Sequence, residues 1–279
     1  MSLFEQISAC VAEARLEEAL EDVKAALREK PSDAQARHLY IDLLILAGEY
    51  ERADGQCGIA ATFQPDAVMG FALLRHQLRA MAARDAWFTT GAMPDFPEGP
   101  TALDRQAIKL AIAHREGRRD EVHEALAELE ALRGEQAMSC NGNEIDDIRD
   151  LDDRIPHALE VIMSGGAYLW IDFSRIAALE VEPVARLRDM AFRRAHLTLI
   201  DGAVAPVLIP AIYHQPHGEV DQLRLGHATE WLELPTGLTV GRGQRCFLAG
   251  NELRALGEIH RLTGVSAEAS AVARRSVHG

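Results

Sequence analysis

The sequence predicts an α+β protein, in which an α-helical half comes first and a half built on a mostly antiparallel sheet follows. Three observations predict this class. Apolar residues recur at helical spacing through the first 135 residues, part of that stretch repeats after 34 residues, and an alternation of period two begins near Tyr168. We therefore expect a helical domain at 1–135, an α+β domain with the antiparallel sheet at 150–262, and a flexible tail at 263–279.

The helical half contains an amphipathic stripe and an internal repeat. Apolar residues between Leu16 and Leu27 fall three or four positions apart, which predicts one buried helix face. Four residues recur 34 positions later: Ala19, Val23, Ala26 and Pro31 return as Ala53, Cys57, Ala60 and Pro65. This is the period of tetratricopeptide repeats, in which a small residue lets two helices approach closely and proline ends the second helix.

A third similar helix begins at Gly117. The helical half therefore resembles a short tetratricopeptide array, and an ordinary helical bundle is the alternative. In both cases a stack of helical hairpins leaves a concave groove of the kind that binds a peptide or a helix.

Residues 133–149 contain Gly, Ser and Asn, which predicts a linker. An acidic run begins within this segment and continues beyond it. Paired carboxylates of this kind can hold a divalent cation or act as acid and base, but the run lacks the Gly and Glu at the positions that an EF-hand loop requires. We interpret the run as solvated residues before a helix at 155–163, whose positive N-terminal end they favour. The run consists of Glu144, Asp146, Asp147, Asp150, Asp152 and Asp153.

Strand patterns follow from residue 168 onward. Apolar and polar residues alternate through 168–173, and an Asp201-Gly202 step joins two β-rich runs at 195–200 and 204–209, which predicts a hairpin. Further strands are expected at 223–234, 245–248 and 253–261. Short turns between successive strands indicate an antiparallel meander.

Charge and cysteine content exclude several classes of function. A net charge of −14 argues against nucleic acid and against an anionic membrane surface as partners. The longest apolar stretch, 39–47, is interrupted by Asp42 and is far shorter than the ~20 residues of a membrane span. Four widely separated cysteines and the lack of a signal-peptide pattern predict reduced thiols and a cytoplasmic location.

We find no sequence motif typical of an enzyme. Gly241-Arg-Gly243 lacks the third glycine of a dinucleotide loop and is interpreted as a tight turn into a strand. His214 and His217 are the best metal candidates, yet Pro216 separates them and no third ligand has fitting spacing. We therefore predict no catalytic, cofactor-binding or metal-binding residue and a non-enzymatic protein.

Two alternatives remain open at this point. One is a metal-dependent hydrolase that uses His214 and His217 with the Asp146/Asp147 cluster. The other is a general co-chaperone with tetratricopeptide repeats that captures C-terminal carboxylates. It would need a clamp of cations, for which the repeat helices offer Arg37, Arg75 and Arg79.

Many ordered segments carry a family resemblance over roughly residues 5 to 262. They are WFTTG from Trp87, PDFP from Pro94, LEVI from Leu159, GAYLWIDFSRI from Gly166, LRD from Leu187, AHLTL from Ala195, IPAIY from Ile209, LGHATEW from Leu225 and GQRCFLAGNE from Gly243. The chain resembles the ImpE/TagJ family, which are accessory proteins of the bacterial type VI secretion system. It departs from the family's pattern at Tyr168-Leu169, where a tyrosine pair is expected, and in the loop at 213–220.

The resemblance implies a function that composition and periodicity do not show. It implies an adaptor that binds the N-terminal helix of the small contractile-sheath subunit and thereby influences how the unfoldase ATPase handles the sheath. It carries no catalytic residue over to this chain. Whether the helical half or the edge of the sheet supplies the binding groove stays open.

Overall fold

The computed structural model describes residues 2–214 and 218–265. Seven α-helices come first, and consecutive helices pack against each other through α5, as do α6 and α7. They are α1 (Leu3–Ala12), α2 (Leu16–Glu29), α3 (Ala34–Leu46), α4 (Tyr50–Phe63), α5 (Val68–Thr90), α6 (Ala102–Arg115) and α7 (Arg119–Arg133). No helix of this described part is long and apolar enough to cross a bilayer.

The 34-residue repeat corresponds to two equivalent helices. Ala19 and Val23 on α2, and their counterparts Ala53 and Cys57 on α4, are completely buried. Small side chains at these points let each helix lie close to α3, which both of them contact. With 23 residues, α5 is much longer than its neighbours, so the hairpins do not continue as a regular array.

Every named strand pairs antiparallel with its neighbours, and the predicted α+β class with a mostly antiparallel sheet is confirmed. The large sheet has eight strands in the order β2-β1-β13-β6-β7-β8-β4-β5; one smaller sheet pairs β9 with β10, and another has the order β12-β11-β3. The strands are β1 (Met138–Cys140), β2 (Asn143–Ile145), β3 (Ile148–Asp150), β4 (Ala158–Met163), β5 (Tyr168–Asp172), β6 (Ile176–Val181), β7 (Phe192–Leu199), β8 (Val204–Pro210), β9 (Thr229–Glu233), β10 (Thr239–Gly243), β11 (Cys246–Ala249), β12 (Glu252–Ala255) and β13 (Arg261–Gly264).

The helix predicted at 155–163 is wrong, because Ala158–Met163 forms β4. Its side chains face two apolar cores in alternation. Ala158 and Ile162 join the core shared with the helices, whereas Leu159 and Val161 join the core on the other face of the sheet. A strand buried on both faces is continuously apolar, so its period of two is invisible in the sequence.

Three further expectations are corrected. The segment predicted as a linker, 133–149, contains β1 and β2 and most of β3. The strand predicted at 223–234 starts inside a short helix, α8 (Asp221–Arg224), and only its later part forms β9. The predicted flexible tail begins too early, since Thr263 and Gly264 belong to β13, and residues 266–279 lie outside the described residues.

Two hydrophobic cores hold the molecule together. One lies between the large sheet and the β3-β11-β12 sheet, and includes Phe173 and Phe247 in edge-to-face contact. The other fills the helical half and continues onto the opposite face of the large sheet, where it includes Trp170 and Phe192. The helices and the sheet therefore share one core. The division into domains at 1–135 and 150–262 stays a prediction.

Candidate partner-binding cleft

The seam between the helical half and the sheet is aromatic. Trp87 on α5 meets Trp170 on β5 edge to face, with ring centroids 4.8 Å apart. Phe96, in the loop after α5, meets the same indole at 5.9 Å. That loop also pairs with β5, because the backbone N–H of Asp95 donates to the carbonyl of Tyr168. The WFTTG and PDFP segments therefore bind the helices to the sheet.

A buried ion network crosses the same seam. Glu160 on β4 accepts from Arg84 on α5, with Nε to Oε1 at 2.8 Å, and forms a second ion pair with Arg245. Tyr168 donates its hydroxyl proton to Glu160 at 2.6 Å, and Trp170 Nε1 donates to the Tyr168 oxygen at 2.8 Å. All these side chains are at least 96% buried. A charged side chain that is buried away from water needs partners that compensate its charge, so each side chain of this network depends on the others.

Asp150 extends this network toward β11. Arg245 lies 3.5 Å from its carboxylate, and Tyr213 donates a hydrogen bond to it at 2.9 Å. Burial raises the pKa of Asp150 to about 6 despite the lowering effect of Arg245. Burial also lowers the pKa of Arg245 to about 10 and raises the pKa of Tyr213. Burial thus opposes the charged forms of both Asp150 and Arg245, and their close approach offsets part of that cost.

The concave groove expected in the helical half is partly filled by the protein itself. Every residue of α3 from Leu39 to Leu46 is buried. A short 3-10 helix before β7, Leu187–Met190, packs against α3, and Arg188 lies 3.5 Å from Asp42 there. Beside this contact the described residues line two neighbouring open hollows, and Ile45 and Phe192 contribute to the walls of both.

The first, which we name the arginine hollow, has a volume of about 420 Å³ and is walled by both halves. From the helices come Phe71, Leu73, Leu74 and Met81 on α5, and from the sheet come Arg186, Arg188, Asp189 and Arg194. Leu73 is 47% exposed, and Met69, one turn earlier on the same helix face, is 81% exposed. The hollow therefore continues into an open apolar ridge.

The second, which we name the carboxylate hollow, has a volume of about 340 Å³. Its walls carry Glu17, Glu49 and Asp85 beside apolar groups that include Tyr50 and Phe192, whose rings meet edge to face. Arg224, on α8, lines it too and pairs with Glu17 at 2.8 Å. Both halves again form the walls.

The described residues of the alternative metal site, His214, Asp146 and Asp147, do not gather in the structure. His214 stacks on Phe88 with ring centroids 4.5 Å apart, and its Nε2 lies 3.7 Å from Asp85. Asp146 and Asp147 lie in the turn between β2 and β3. Asp146 is exposed, and Asp147 pairs with Arg133 at the end of α7. His217 lies outside the described residues. Within those that are described, one group has three ligand atoms near enough for an ion, and it consists of Cys10, Glu18 and Asp22.

Two of the three cations considered for a carboxylate clamp serve internal contacts. Arg37 donates to the side chain of Gln56 and lies over the ring of Phe63. Arg75 forms a two-point ion pair with Asp54, between α5 and α4. Arg79, the third of the set, is exposed on α5. None of the three lines either hollow.

Sequence reasoning missed the buried ion network at the seam between the helical half and the sheet. Glu160 and Arg84 each look like an ordinary charged residue among many, and only the fold buries them together. The arginine hollow did leave a signal, because four arginines fall within nine residues of a strongly acidic chain, at Arg186, Arg188, Arg193 and Arg194. Such a local cluster of positive charge in an acidic chain is a sequence signal for a surface that binds a partner.

We name the arginine hollow and the carboxylate hollow together the cleft. The fold and the cleft define a class of protein, namely an α+β protein whose helical half and sheet together wall open, partly apolar hollows. Comparisons with known proteins agree on a family. The model of the ImpE protein family matches residues 142–263. The type VI secretion system accessory component TagJ of Pseudomonas aeruginosa is 30% identical over 257 residues, which is 89% of this chain and 87% of that protein.

The chain thus belongs to the ImpE/TagJ family. A crystal structure of protein VPA1032 from Vibrio parahaemolyticus has the same fold, with a TM-score of 0.88 and 25% sequence identity. The match covers 95% of this chain and 99% of the other. The family resemblance that the sequence motifs indicate is confirmed, and the similarity extends through both halves.

Proposed function

We propose that this protein is a non-enzymatic accessory adaptor of a type VI secretion system, acting in the cytoplasm. Its relative of 30% identity over most of both chains is an accessory component of that system. The partner we propose is the N-terminal helix of the small contractile-sheath subunit. By holding that helix, the protein would influence how the unfoldase ATPase recognises or recycles the sheath.

The observation that supports this proposal most is the cleft. Helix-binding grooves in proteins offer apolar pockets for residues at i, i+3, i+4 and i+7, with polar groups at the rim. Hollows of about 420 and 340 Å³ lined by both halves, with exposed Leu73 and Met69 beside the larger one, match this description. The groove is then a property of neither half alone.

Within residues 2–214 and 218–265, no observation favours the hydrolase alternative. Asp147 is engaged by Arg133, and His214 by Phe88 and Asp85. We therefore keep the adaptor as our proposal. Metal analysis of the purified protein tests this choice, and a stoichiometric ion would contradict it.

The direct test is binding of a fluorescent peptide with the sequence of the sheath subunit's N-terminal helix, followed by anisotropy. We expect saturable binding with a Kd of about 1 μM or tighter, or about −8 kcal/mol. The same peptide with a central proline, which breaks the helix, is the ligand control and should bind at least about tenfold more weakly. No binding of the intact peptide would contradict the proposal.

Paired variants then test the cleft as the site. Leu73→Asn changes the arginine hollow, and Glu17→Lys changes the carboxylate hollow. Their controls are Leu132→Asn, similarly exposed on α7, and Glu21→Lys, on α2 and outside the hollow. At least one cleft variant should weaken binding by about fivefold or more, with both controls unchanged. Unchanged binding in both cleft variants would place the helix elsewhere.

A further inference from the structure

The two-stranded sheet of β9 and β10 has one covered edge and one bare edge. On the outer side of β10, the backbone N–H of Thr239 donates to the carboxylate of Asp153 at 2.7 Å. The backbone N–H of Gly241 donates to the carboxylate of Asp152 at 3.1 Å. These bonds attach β10 to the segment between β3 and β4. β9 pairs with β10 and, among the described strands, with no other.

The strand register identifies the backbone groups of β9 that point outward. Hydrogen bonds between antiparallel strands join every second residue pair. Leu234 donates its N–H to the carbonyl of Leu238 at the turn, so the even-numbered residues of β9 bond to β10. The N–H and C=O groups of Thr229, Trp231 and Glu233 therefore point away from β10. In the part of the chain that the structure describes, no hydrogen bond reaches them.

Apolar side chains accompany this bare edge. Trp231 is 40% exposed and Leu232 is 43% exposed, and they lie on opposite faces because successive side chains of a strand alternate. The indole of Trp231 meets the buried ring of Tyr213 at 5.7 Å, which holds it in place. An unpaired edge that carries exposed apolar residues is a template for another strand.

The backbone of β9 is complementary to that of a second copy of itself. An antiparallel pairing centred on Trp231 aligns Thr229 with Glu233 of the second copy and Trp231 with its own equivalent. Each aligned pair consists of residues whose N–H and C=O groups point outward, and such a pair exchanges two hydrogen bonds. The pairing therefore satisfies every outward group of both strands.

The charges of β9 fit the same register. Glu230 faces Leu232 of the second copy, and Glu233 faces the uncharged Thr229, so no carboxylate lies directly opposite another. A shift by two residues in one direction would align Glu230 with its own equivalent. A shift in the other direction would align Thr229 with Pro235, which has no N–H to donate. One register thus combines full hydrogen bonding with separated charges.

We infer that β9 pairs antiparallel with β9 of a second copy of this chain, centred on Trp231, to form a four-stranded sheet in the order β10-β9-β9-β10. This goes beyond the proposed function, because it concerns self-association and would bring two clefts into one particle. The interface is small and each chain carries −14, so we expect a weak dimer with a Kd of about 10–100 μM. Salt should tighten the dimer by screening the repulsion.

The first test changes the charge opposite Glu230. Sedimentation equilibrium of the full-length protein, from about 1 to 500 μM, measures the dimer of the wild type and of Leu232→Lys and Leu232→Glu. Each substitution acts twice in a twofold dimer, as a new opposite-charge or like-charge pair. We expect the Lys variant to dimerise at least about tenfold more tightly than the Glu variant.

The matched controls are Leu253→Lys and Leu253→Glu. Leu253 is 57% exposed on β12, so these variants make the same changes of net charge on another strand. The two should differ by less than about twofold in dimer Kd.

The second test acts on the backbone. Glu233→Pro removes an outward N–H without removing a bond to β10, and proline is tolerated at such edge positions. We expect it to weaken the dimer by about tenfold or more, whereas Glu233→Gln, which keeps the N–H, should not weaken it. Circular dichroism of both variants checks that the fold is retained.

A wild-type protein that stays monomeric throughout the concentration range would overturn the inference. So would equal dimerisation of the Lys and Glu variants at residue 232, or a Glu233→Pro protein that dimerises like the wild type, since both would place the contact elsewhere. No residue of β9 lines either hollow, and the peptide assay uses protein dilute enough to be monomeric. Failure of the dimer and failure of the adaptor role are therefore separate outcomes.

Discussion

At the scale of single residues, Glu160 is a buried carboxylate that has three side-chain partners. It is the anion between Arg84 and Arg245, it accepts the hydroxyl proton of Tyr168, and it is 99% buried. A buried charge cluster adds little stability over apolar packing of the same shape, but removing one member leaves the others without compensation. Its main effect here is to fix α5 against β4 in one arrangement.

We therefore predict that Glu160→Gln lowers the free energy of unfolding by about 3–5 kcal/mol, because Arg84 loses its carboxylate in a site without water. Glu180→Gln is the control. Glu180 pairs with Arg261 at 3.8 Å, and both side chains are 60% exposed, so the change should stay within about 0.5 kcal/mol. Urea unfolding followed by circular dichroism measures both. Equal effects would mean that the buried cluster is not specially coupled.

At the scale of elements, sequence reasoning succeeded where one face of an element meets water. The stripe of α2 and the Asp201-Gly202 hairpin between β7 and β8 show clear periods, and both are confirmed. It failed for β4, whose two faces meet two different cores, and for β1, whose three residues are too few to show a period. The cleft required tertiary structure, because its walls come from α5 and from the segment before β7, more than 100 residues away.

The glycines of β10 give a prediction at this scale. Gly241 pairs with Trp231 on β9, and a Cβ at Gly241 would lie 2.3 Å from the ring of Tyr213. That ring cannot move easily, since it is 98% buried and its hydroxyl is held by Asp150 and Cys246. The sequence predicted a tight turn at the Gly-Arg-Gly motif, but the motif lies within β10, where Gly241 allows the Tyr213 ring to pack closely.

We expect Gly241→Ala to lower the free energy of unfolding by about 1–3 kcal/mol through overpacking. Gly58→Ala, within α4, is the matched substitution, because nothing lies within 4 Å of its Cβ and its backbone is helical. It should raise the free energy by about 0.5–1 kcal/mol, the helix propensity gained. Thermal unfolding of the two variants measures the contrast. A neutral Gly241→Ala would show that Tyr213 is free to shift.

At the scale of the whole molecule, the question is whether two halves of different architecture behave as one unit. The sequence divides the chain at 1–135 and 150–262, and an array of helices needs no sheet in order to fold. In the structure, one core contains Leu44 and Leu78 from the helices together with Ile162 and Trp170 from the sheet. Neither half could separate without exposing that surface and the charges of Arg84 and Glu160.

We therefore predict a single cooperative unfolding transition in urea. Ellipticity at about 222 nm reports the helices, whereas fluorescence reports mainly Trp87 and Trp170, which meet across the seam. The two curves should share one midpoint and one slope, because the contacts at the seam and the helices themselves are expected to be lost in one cooperative transition. Glu160→Gln should shift both curves together. If fluorescence changed at lower urea than ellipticity, the helical half would be stable alone, and the division read from the sequence would describe two independent domains. A partner that binds in the cleft contacts both halves, so a single transition also predicts that saturating ligand raises both midpoints equally.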